Sequence, residues 1–266
     1  MKSVVLKLLQ SLNIFEMKGF FAAIMMFTRL PLWRIVQVEK QHYAQALTYW
    51  PLVGFLTGTT LWGVWYLASS FLPAFVASLL AIIARIWLTG ALHEDGLADF
   101  FDGFGGGNSK ENILSIMKDS HIGSYGTIGL ILYFMLYTTQ LQALPIAKSA
   151  GIIIGADVFS KLFTAIMINS LPYARTEESS KTKVLYQKIT PLSSIAITLF
   201  CIVTLWWIGT PLLAIVPLPL VVIGFRQYFK RKIGGYTGDC CGATVLFAEQ
   251  CFYLSSTILY FSSFLS

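Results

Sequence analysis

Charge is what this sequence has little of. Of its 266 residues only 12% are Asp, Glu, Lys or Arg, while 56% are hydrophobic and the mean hydropathy is +0.68. A soluble domain carries about a quarter charged residues. Half that proportion cannot cover a water-facing surface, which excludes a soluble globular enzyme. Cysteine is scarce as well. Cys201 and Cys251 lie in apolar runs, Cys240 and Cys241 are adjacent, and there is no C-x-x-C pair or other metal-type spacing. Free thiols are expected, and nothing indicates an oxidising compartment. Internal repeats and low-complexity linkers are absent, so one membrane domain is expected over 1–266. The net charge of +6 is divided among separate loops rather than along one stripe, which argues against nucleic acid as a partner.

What fills the chain is apolar runs: 44–69, 74–92, 125–144, 149–170, 191–208, 211–228 and 242–264. Each approaches the ~20 residues that cross a bilayer as a helix. The expected fold is an all-α, polytopic integral membrane helix bundle with about seven transmembrane helices. Pro73, Pro145, Pro191 and Pro211 mark the joints, and Pro217 with Pro219 predicts a broken sixth span. Residues 1–28 are apolar but interrupted by Lys7, Gln10, Asn13, Glu16 and Lys18, with no small-residue cleavage pattern. They read as an N-terminal interfacial helix rather than a signal peptide. Basic residues gather in alternate loops: Arg29, Arg34 and Lys40; Lys110 and Lys118; Arg175, Lys181, Lys183 and Lys188; Lys230, Arg231 and Lys232. The positive-inside rule puts these loops and the N-terminus on the cytoplasmic side of the inner membrane, and the C-terminus outside.

Acid is concentrated. Four of the thirteen acidic residues fall in the stretch from His93 to Gly103. If that stretch is helical, Asp95, Asp99 and Asp102 sit at i, i+4 and i+7, within roughly 60° of one another on one face. Glu94 points about 100° away from Asp95. Three clustered carboxylates repel unless a cation lies between them. Hard oxygen ligands beside a cleft suit Mg²⁺, which keeps waters and is completed by substrate phosphates. The competing reading is a solvated acidic helix end. Gly96, Ala98, the Gly105-Gly106-Gly107 run and the scarcity of acid elsewhere favour the metal.

Other polar groups follow. Asn108 with Glu111 three residues on reads as a helix start. That short helix leads to Lys118, Asp119, Ser120 and His121, in the loop 93–124 expected on the cytoplasmic face. Lys118 can bind a phosphate as a point charge, and Asp119 can be a metal ligand or a base. Interfacial charges anchoring a helix end are the alternative. Asp157 and Lys161 lie at i, i+4 inside an apolar run, either as a structural ion pair or with Lys161 facing a phosphate. Arg85 pairs with the acidic motif or snorkels. Glu249, inside the last run, needs a partner. The turn Gly234 to Asp239, with Gly235, Thr237 and Gly238, has the composition of an anion-binding turn opening a helix. His42, His93 and His121 read as hydrogen-bonding neighbours rather than ligands.

Taken together these stretches resemble the cobalamin-5′-phosphate synthase family, also called adenosylcobinamide-GDP ribazoletransferases. The matching segments are Phe27-Thr28-Arg29-Leu30-Pro31, Pro51 to Gly54, His93 to Gly103, Ile116 to Gly126, Tyr173-Ala174-Arg175 and Gly234 to Ala243, with Glu249 beyond. Glu94 stands where the family usually has an apolar residue, and Lys161 where it usually has arginine. The resemblance implies a Mg²⁺-dependent transferase of late cobalamin biosynthesis. A ribose hydroxyl of α-ribazole or its 5′-phosphate would attack adenosylcobinamide-GDP, and GMP would leave. The product would be adenosylcobalamin or its 5′-phosphate. Asp95, Asp99 and Asp102 would hold the metal, with Asp119 as the fourth catalytic residue. His93, Lys118, Lys161, Arg175, Gly235, Thr237, Gly238 and Asp239 would contact substrate. The lipid bilayer, and a second copy in a homo-oligomer, are the other expected partners.

Three rivals remain at this level. A CDP-alcohol phosphotransferase would want an alanine-arginine pair after its Asp-Gly, which is absent after Asp102-Gly103. A prenyltransferase would read Asp95 and Asp99 as a pyrophosphate motif but lacks a second one here. A transporter would use Asp157, Lys161 and Glu249 as a relay, without needing aspartates bounded by glycine.

Overall fold

The computed structural model describes residues 14–175 and 186–265. Every regular element among them is helical. In chain order these are α1 (Ile14–Phe27), a 3-10 turn at Leu32–Arg34, α2 (Lys40–Tyr43), α3 (Ala46–Ser69), α4 (Ala74–Thr89), α5 (Leu92–Gly106) and α6 (Lys110–Ile116). Then come α7 (Ser124–Gln142), α8 (Ile146–Asn169), α9 (Pro191–Trp207), a 3-10 turn at Leu212–Ile215, α10 (Leu218–Ile233) and α11 (Gly238–Leu265). Pro217 occupies the cap position of α10 and Pro219 lies in its first turn, so the chain breaks where the two prolines stand.

Each of the seven apolar runs is helical, but length and composition carry fewer crossings. Ile146–Asn169 and Leu212–Ile233 are long and apolar enough to span a bilayer. A third span results if α4 and α5 count as one, bent by 91°. The expectation of seven crossings is not established. α4 and α9 have only 16 and 17 residues. The longer α3, α7 and α11 are diluted by Trp, Tyr, Thr, Gln and Ser. The outer faces are nonetheless apolar. Phe75 and Trp87 on α4, Ile128 and Met135 on α7, and Leu199 and Trp207 on α9 are all exposed. Such a surface needs apolar surroundings, and with the apolar helices it points to a membrane protein.

Of the expected N-terminal interfacial helix, residues 1–13 lie outside the described part, and α1 docks one side on the bundle. Ala22 and Ala23 are fully buried, and Phe27 stacks on Trp50 of α3 with ring centroids 4.8 Å apart. Small residues on one side of α1 let it dock against the bundle. The cap of α6 also moves by one residue. Ser109, not Asn108, accepts the N–H of Asn112, at 3.2 Å.

Helix α8 is the centre, and every residue from Gly151 to Leu162 is buried. Helix α3 approaches it along Gly54-x-x-x-Gly58. A Cβ on Gly54 would lie 2.9 Å from the Asp157 carbonyl oxygen, and one on Gly58 would lie 3.0 Å from Ile154 Cα. Small residues four apart are what let membrane helices meet backbone to backbone.

Polar contacts inside the bundle converge on Arg85. Its guanidinium, 4% exposed, donates to Glu249 of α11 and, at 3.0 Å, to the Tyr133 hydroxyl of α7. It lies 3.6 Å from Glu94 of α5 and 4.8 Å from the centroid of the Tyr137 ring, whose hydroxyl also donates to Glu249. Arg85 therefore pairs rather than snorkels, and Glu249 has its partner. Removing one member of a buried ion pair costs roughly 3–5 kcal/mol, because the other charge stays behind. Arg85→Met should sharply reduce the yield of folded protein, and adding Glu249→Gln should recover part of it. Normal yield for the single variant, scored by detergent-extracted monodisperse protein, would show that the network holds nothing together.

Candidate active site

Helix α5 is delivered to the site by a tight corner. Gly90 (φ 70) and Ala91 (φ 59) are both left-handed, and these two residues turn α4 into α5. Arg29 donates its backbone N–H to the Leu88 carbonyl at 2.7 Å, so the Thr28-Arg29-Leu30-Pro31 segment clasps that corner. At its far side α5 crosses α11 with almost no gap. A Cβ on Gly96 would lie 3.0 Å from Asp239 Cα, and one on Gly242 would lie 3.0 Å from the His93 carbonyl oxygen. Two helices in such close contact bring Asp95 and Asp239 to the wall of a single cavity. That cavity, of about 210 Å³, is also lined by His93, Arg175 and Gly238.

Arg175 reaches it through a backbone clasp. The N–H of Tyr236 donates to the Pro172 carbonyl at 3.0 Å, and the N–H of Ala174 donates to the Tyr236 carbonyl at 2.9 Å. This short parallel bridge fastens the Gly234 turn to the segment before Arg175. The guanidinium then lies 3.6 Å from Asp239, with its side chain 4% exposed.

A second cavity, of about 280 Å³, is lined by Glu94, Asp95, Asp99, Ser120 and His121. Asp95 borders both. The structure thus brings His93, Asp95, Arg175, Gly238 and Asp239 to one cavity, and Asp95 and Asp99 to the other.

The remaining expected site residues lie elsewhere. Asp102 lines neither cavity. Its carboxylate accepts the N–H of Gly123 at 2.7 Å and that of Gly126 at 2.8 Å, so it caps α7 in place of a side chain that Gly123 lacks. A Cβ at either glycine would sit 2.5 Å from a carboxylate oxygen. Both oxygens thus accept a backbone N–H, whereas Asp95 and Asp99 line the cavities. A carboxylate at a helix N-terminus is also favoured by the helix dipole. Thr237 is fully buried and caps α11, its hydroxyl accepting the Cys240 N–H at 3.2 Å. Gly235 packs against Pro172. Neither Thr237 nor Gly235 lines a described cavity. Lys118 is exposed and lines none either.

Asp119 is exposed and accepts from the His121 backbone N–H at 3.0 Å and contacts His121 Nδ1 at 2.6 Å. Those two contacts, the backbone one first, hold its pKa below the usual carboxylate value.

Lys161 is buried, pairs with Asp157 one helical turn earlier, and lines none of the described cavities. The structure favours the ion-pair reading over a phosphate contact.

The sequence reading missed the aromatic side of the first cavity, where Trp50 and Tyr186 stand. They lie on α3 and before α9, and no spacing rule links them to the acidic motif. Among the described residues, no three His, Cys, Asp or Glu side chains stand close enough together to hold an ion unaided. Asp95 and Asp99 beside one open cavity fit a weaker demand, that of Mg²⁺ held by two carboxylates and completed by waters and phosphate oxygens.

A profile described as cobalamin-5-phosphate synthase matches residues 19–257. This chain belongs to that family. An adenosylcobinamide-GDP ribazoletransferase of Shewanella baltica is 41% identical over 250 residues, covering 90% of this chain and 94% of that protein. One of Shewanella oneidensis is 40% identical with the same coverage. One of Shewanella frigidimarina is 39% identical over 256 residues, covering 94% and 95%. No solved structure matches. As a cobalamin-5-phosphate synthase family member, the chain keeps its acidic motif where α4, α5, α7 and α11 meet.

Lys161 yields a test. Lys161→Met strands Asp157 in the bundle, and folded yield should fall. Adding Asp157→Asn should restore the yield, with the Michaelis constants of the restored protein within about twofold of wild type. Normal yield with a raised Michaelis constant in the single variant would return Lys161 to the substrate.

Proposed function

We propose that this protein is a membrane transferase joining adenosylcobinamide-GDP to α-ribazole or its 5′-phosphate, in a Mg²⁺-dependent reaction. The observation that carries the reading is Asp95, which stands on the wall between two cavities. A carboxylate there can hold a charge-neutralising cation where donor and acceptor meet. The names of the relatives supply the substrates, and the family profile names the phosphorylated product.

In the reaction, a ribose hydroxyl oxygen of the acceptor forms a bond to the phosphorus nearer the corrinoid. The bond from that phosphorus to the bridging oxygen breaks, GMP leaves with the oxygen, and the hydroxyl proton is released to water. Mg²⁺, when bound, would neutralise charge on the pyrophosphate. Asp95 and Asp99 would hold it from one face of α5. Arg175 supplies a planar cation fork for phosphate oxygens, and Lys118 a point charge at the exposed loop. Asp102 acts at one remove, by fixing the end of α7 against α5. Charge neutralisation and positioning supply most of the rate in phosphoryl transfer.

The same proposal places the protein in the cytoplasmic membrane with about seven helices crossing or lining it. Both cavities then face the cytoplasm. The basic residues Lys230, Arg231 and Lys232 end α10 beside the α11 turn, which supports that orientation.

Membranes containing the protein, supplied with adenosylcobinamide-GDP, α-ribazole 5′-phosphate and Mg²⁺, should release GMP. Chelation should abolish release, and added Mg²⁺ should restore it. Asp95→Asn and Asp99→Asn should each cut turnover by at least about a hundredfold in protein that still folds. Asp102→Asn should differ in kind, losing roughly 1–3 kcal/mol of stability as its amide N–H₂ faces a backbone N–H. Undiminished GMP release from Asp95→Asn would remove the proposed site. For orientation, cysteines placed at Lys110 and Lys232 should label from the cytoplasmic side, and one at Lys148 from the other. Labelling of all three from one side would overturn the topology.

A further inference from the structure

A groove separate from both cavities runs down the outside of the bundle between α7 and α11. Its volume is about 550 Å³. Ile128 and Leu132 of α7 and Leu254 of α11 form its rims, and all three are exposed. Gly129 lets the ring of Phe101 form the floor, since a Cβ there would overlap that ring. Leu97 and Phe101, on the inner wall, stand on the side of α5 turned away from Asp95 and Asp99. From Tyr125 to Leu136 the groove follows α7 for ~16 Å. A helix of a second copy, about 10 Å across and equally long, would occupy roughly 1,200 Å³. That is more than twice the groove, which suits a thinner and more flexible apolar chain.

One end of the groove is not apolar. Val221 lines the groove on α10, and Lys232, about three turns on, falls within roughly 20° of the same face. Tyr228 lies between them on that face, its ring 5.2 Å from that of Phe104 on α5. Tyr125 covers the next residue, Gly105, where a Cβ would lie 2.8 Å from its ring. Two tyrosines thus flank the mouth, as aromatic rings do at a bilayer interface. Beyond them stand Lys230, Arg231 and Lys232. Lys110 arrives from α6, with its Nζ 3.6 Å from the place of a Cβ on Gly234. All four cations are exposed, and among the described residues none has a carboxylate within ion-pair distance. The helix dipole accounts for cations at the end of α10, but not for a fourth brought to them by another helix. Like charges gathered in this way call for an anion between them.

We propose that the groove holds one acyl chain of an anionic phospholipid, with the headgroup phosphate among Lys110, Arg231 and Lys232. The apolar length and the cationic mouth match the two ends of that one molecule. Each methylene buried in the groove adds to retention, and each basic residue at the mouth favours an anionic headgroup. The site rests on the membrane placement proposed above, which the cysteine labels check separately, and not on the transfer reaction.

The test uses the purified full-length protein in detergent, with retained lipid counted by native mass spectrometry. Phosphatidylglycerol and phosphatidylcholine with identical chains are titrated side by side. One phosphatidylglycerol should stay on each protein chain, about tenfold or more tightly than phosphatidylcholine, as two or more basic residues beside an anionic headgroup imply. Arg231→Gln combined with Lys232→Gln should bring phosphatidylglycerol down to the level of phosphatidylcholine. Cys251→Phe, which fills the groove, should weaken both lipids alike. If Cys251→Phe does not fold, Leu254→Trp on the exposed rim takes its place. Equal retention of the two lipids by the wild-type protein, or retention of neither, overturns the proposal. So does a preference that survives the loss of both cations, or binding untouched by the groove-filling variant. A lipid-free dimer in the same spectra would give the groove to a second copy and overturn it as well. The GMP-release assay keeps the two ideas apart. Failed release with a charge-dependent lipid sinks the transfer and leaves the groove site. Normal release with no lipid preference sinks the groove site alone.

Discussion

The bundle depends on a cation that has left water. Arg85 is buried on α4, and an isolated buried charge would not be tolerated. Its donors meet Glu249 on α11 and Tyr133 on α7, and Glu94 on α5 lies within ion-pair distance. Four helices are therefore held in one relative arrangement by the need to neutralise one guanidinium. An apolar side chain could fill the same volume in several rotations about its helix axis. A guanidinium with partners on three neighbouring helices admits few.

That constraint reaches the site through one residue. Glu94 precedes Asp95, and on a helix adjacent residues point about 100° apart. With Glu94 held by Arg85 at the edge of the second cavity, Asp95 and Asp99 line it beside Glu94. The glycines of α5 and α11 do the complementary work. Because Gly96 and Gly242 lack a Cβ, the two helices touch, and Asp239 with its neighbour Arg175 arrives beside Asp95. Asp102 holds α7 in place by accepting two of its N-terminal N–H groups. Three aspartates on one helix thus separate into two that face the cavities and one that braces the framework. The separation follows from which neighbour each meets.

Much of this was legible beforehand. Scarce charge and long apolar runs determine an all-helical chain that shuns water, because burying backbone polar groups away from water requires helices or closed barrels. The spacing of Asp95, Asp99 and Asp102 determines a shared face, since helical periodicity is local. The matching segments from Phe27 to Glu249 determine the family. What only the tertiary structure decided are the pairings between distant segments. No local rule tells that Asp102 caps α7, or that Arg85 pairs with Glu249. None places Trp50 and Tyr186 opposite Arg175. These outcomes depend on backbone approach between helices far apart in the chain. That approach is set by where small residues permit contact and where buried charges demand a partner.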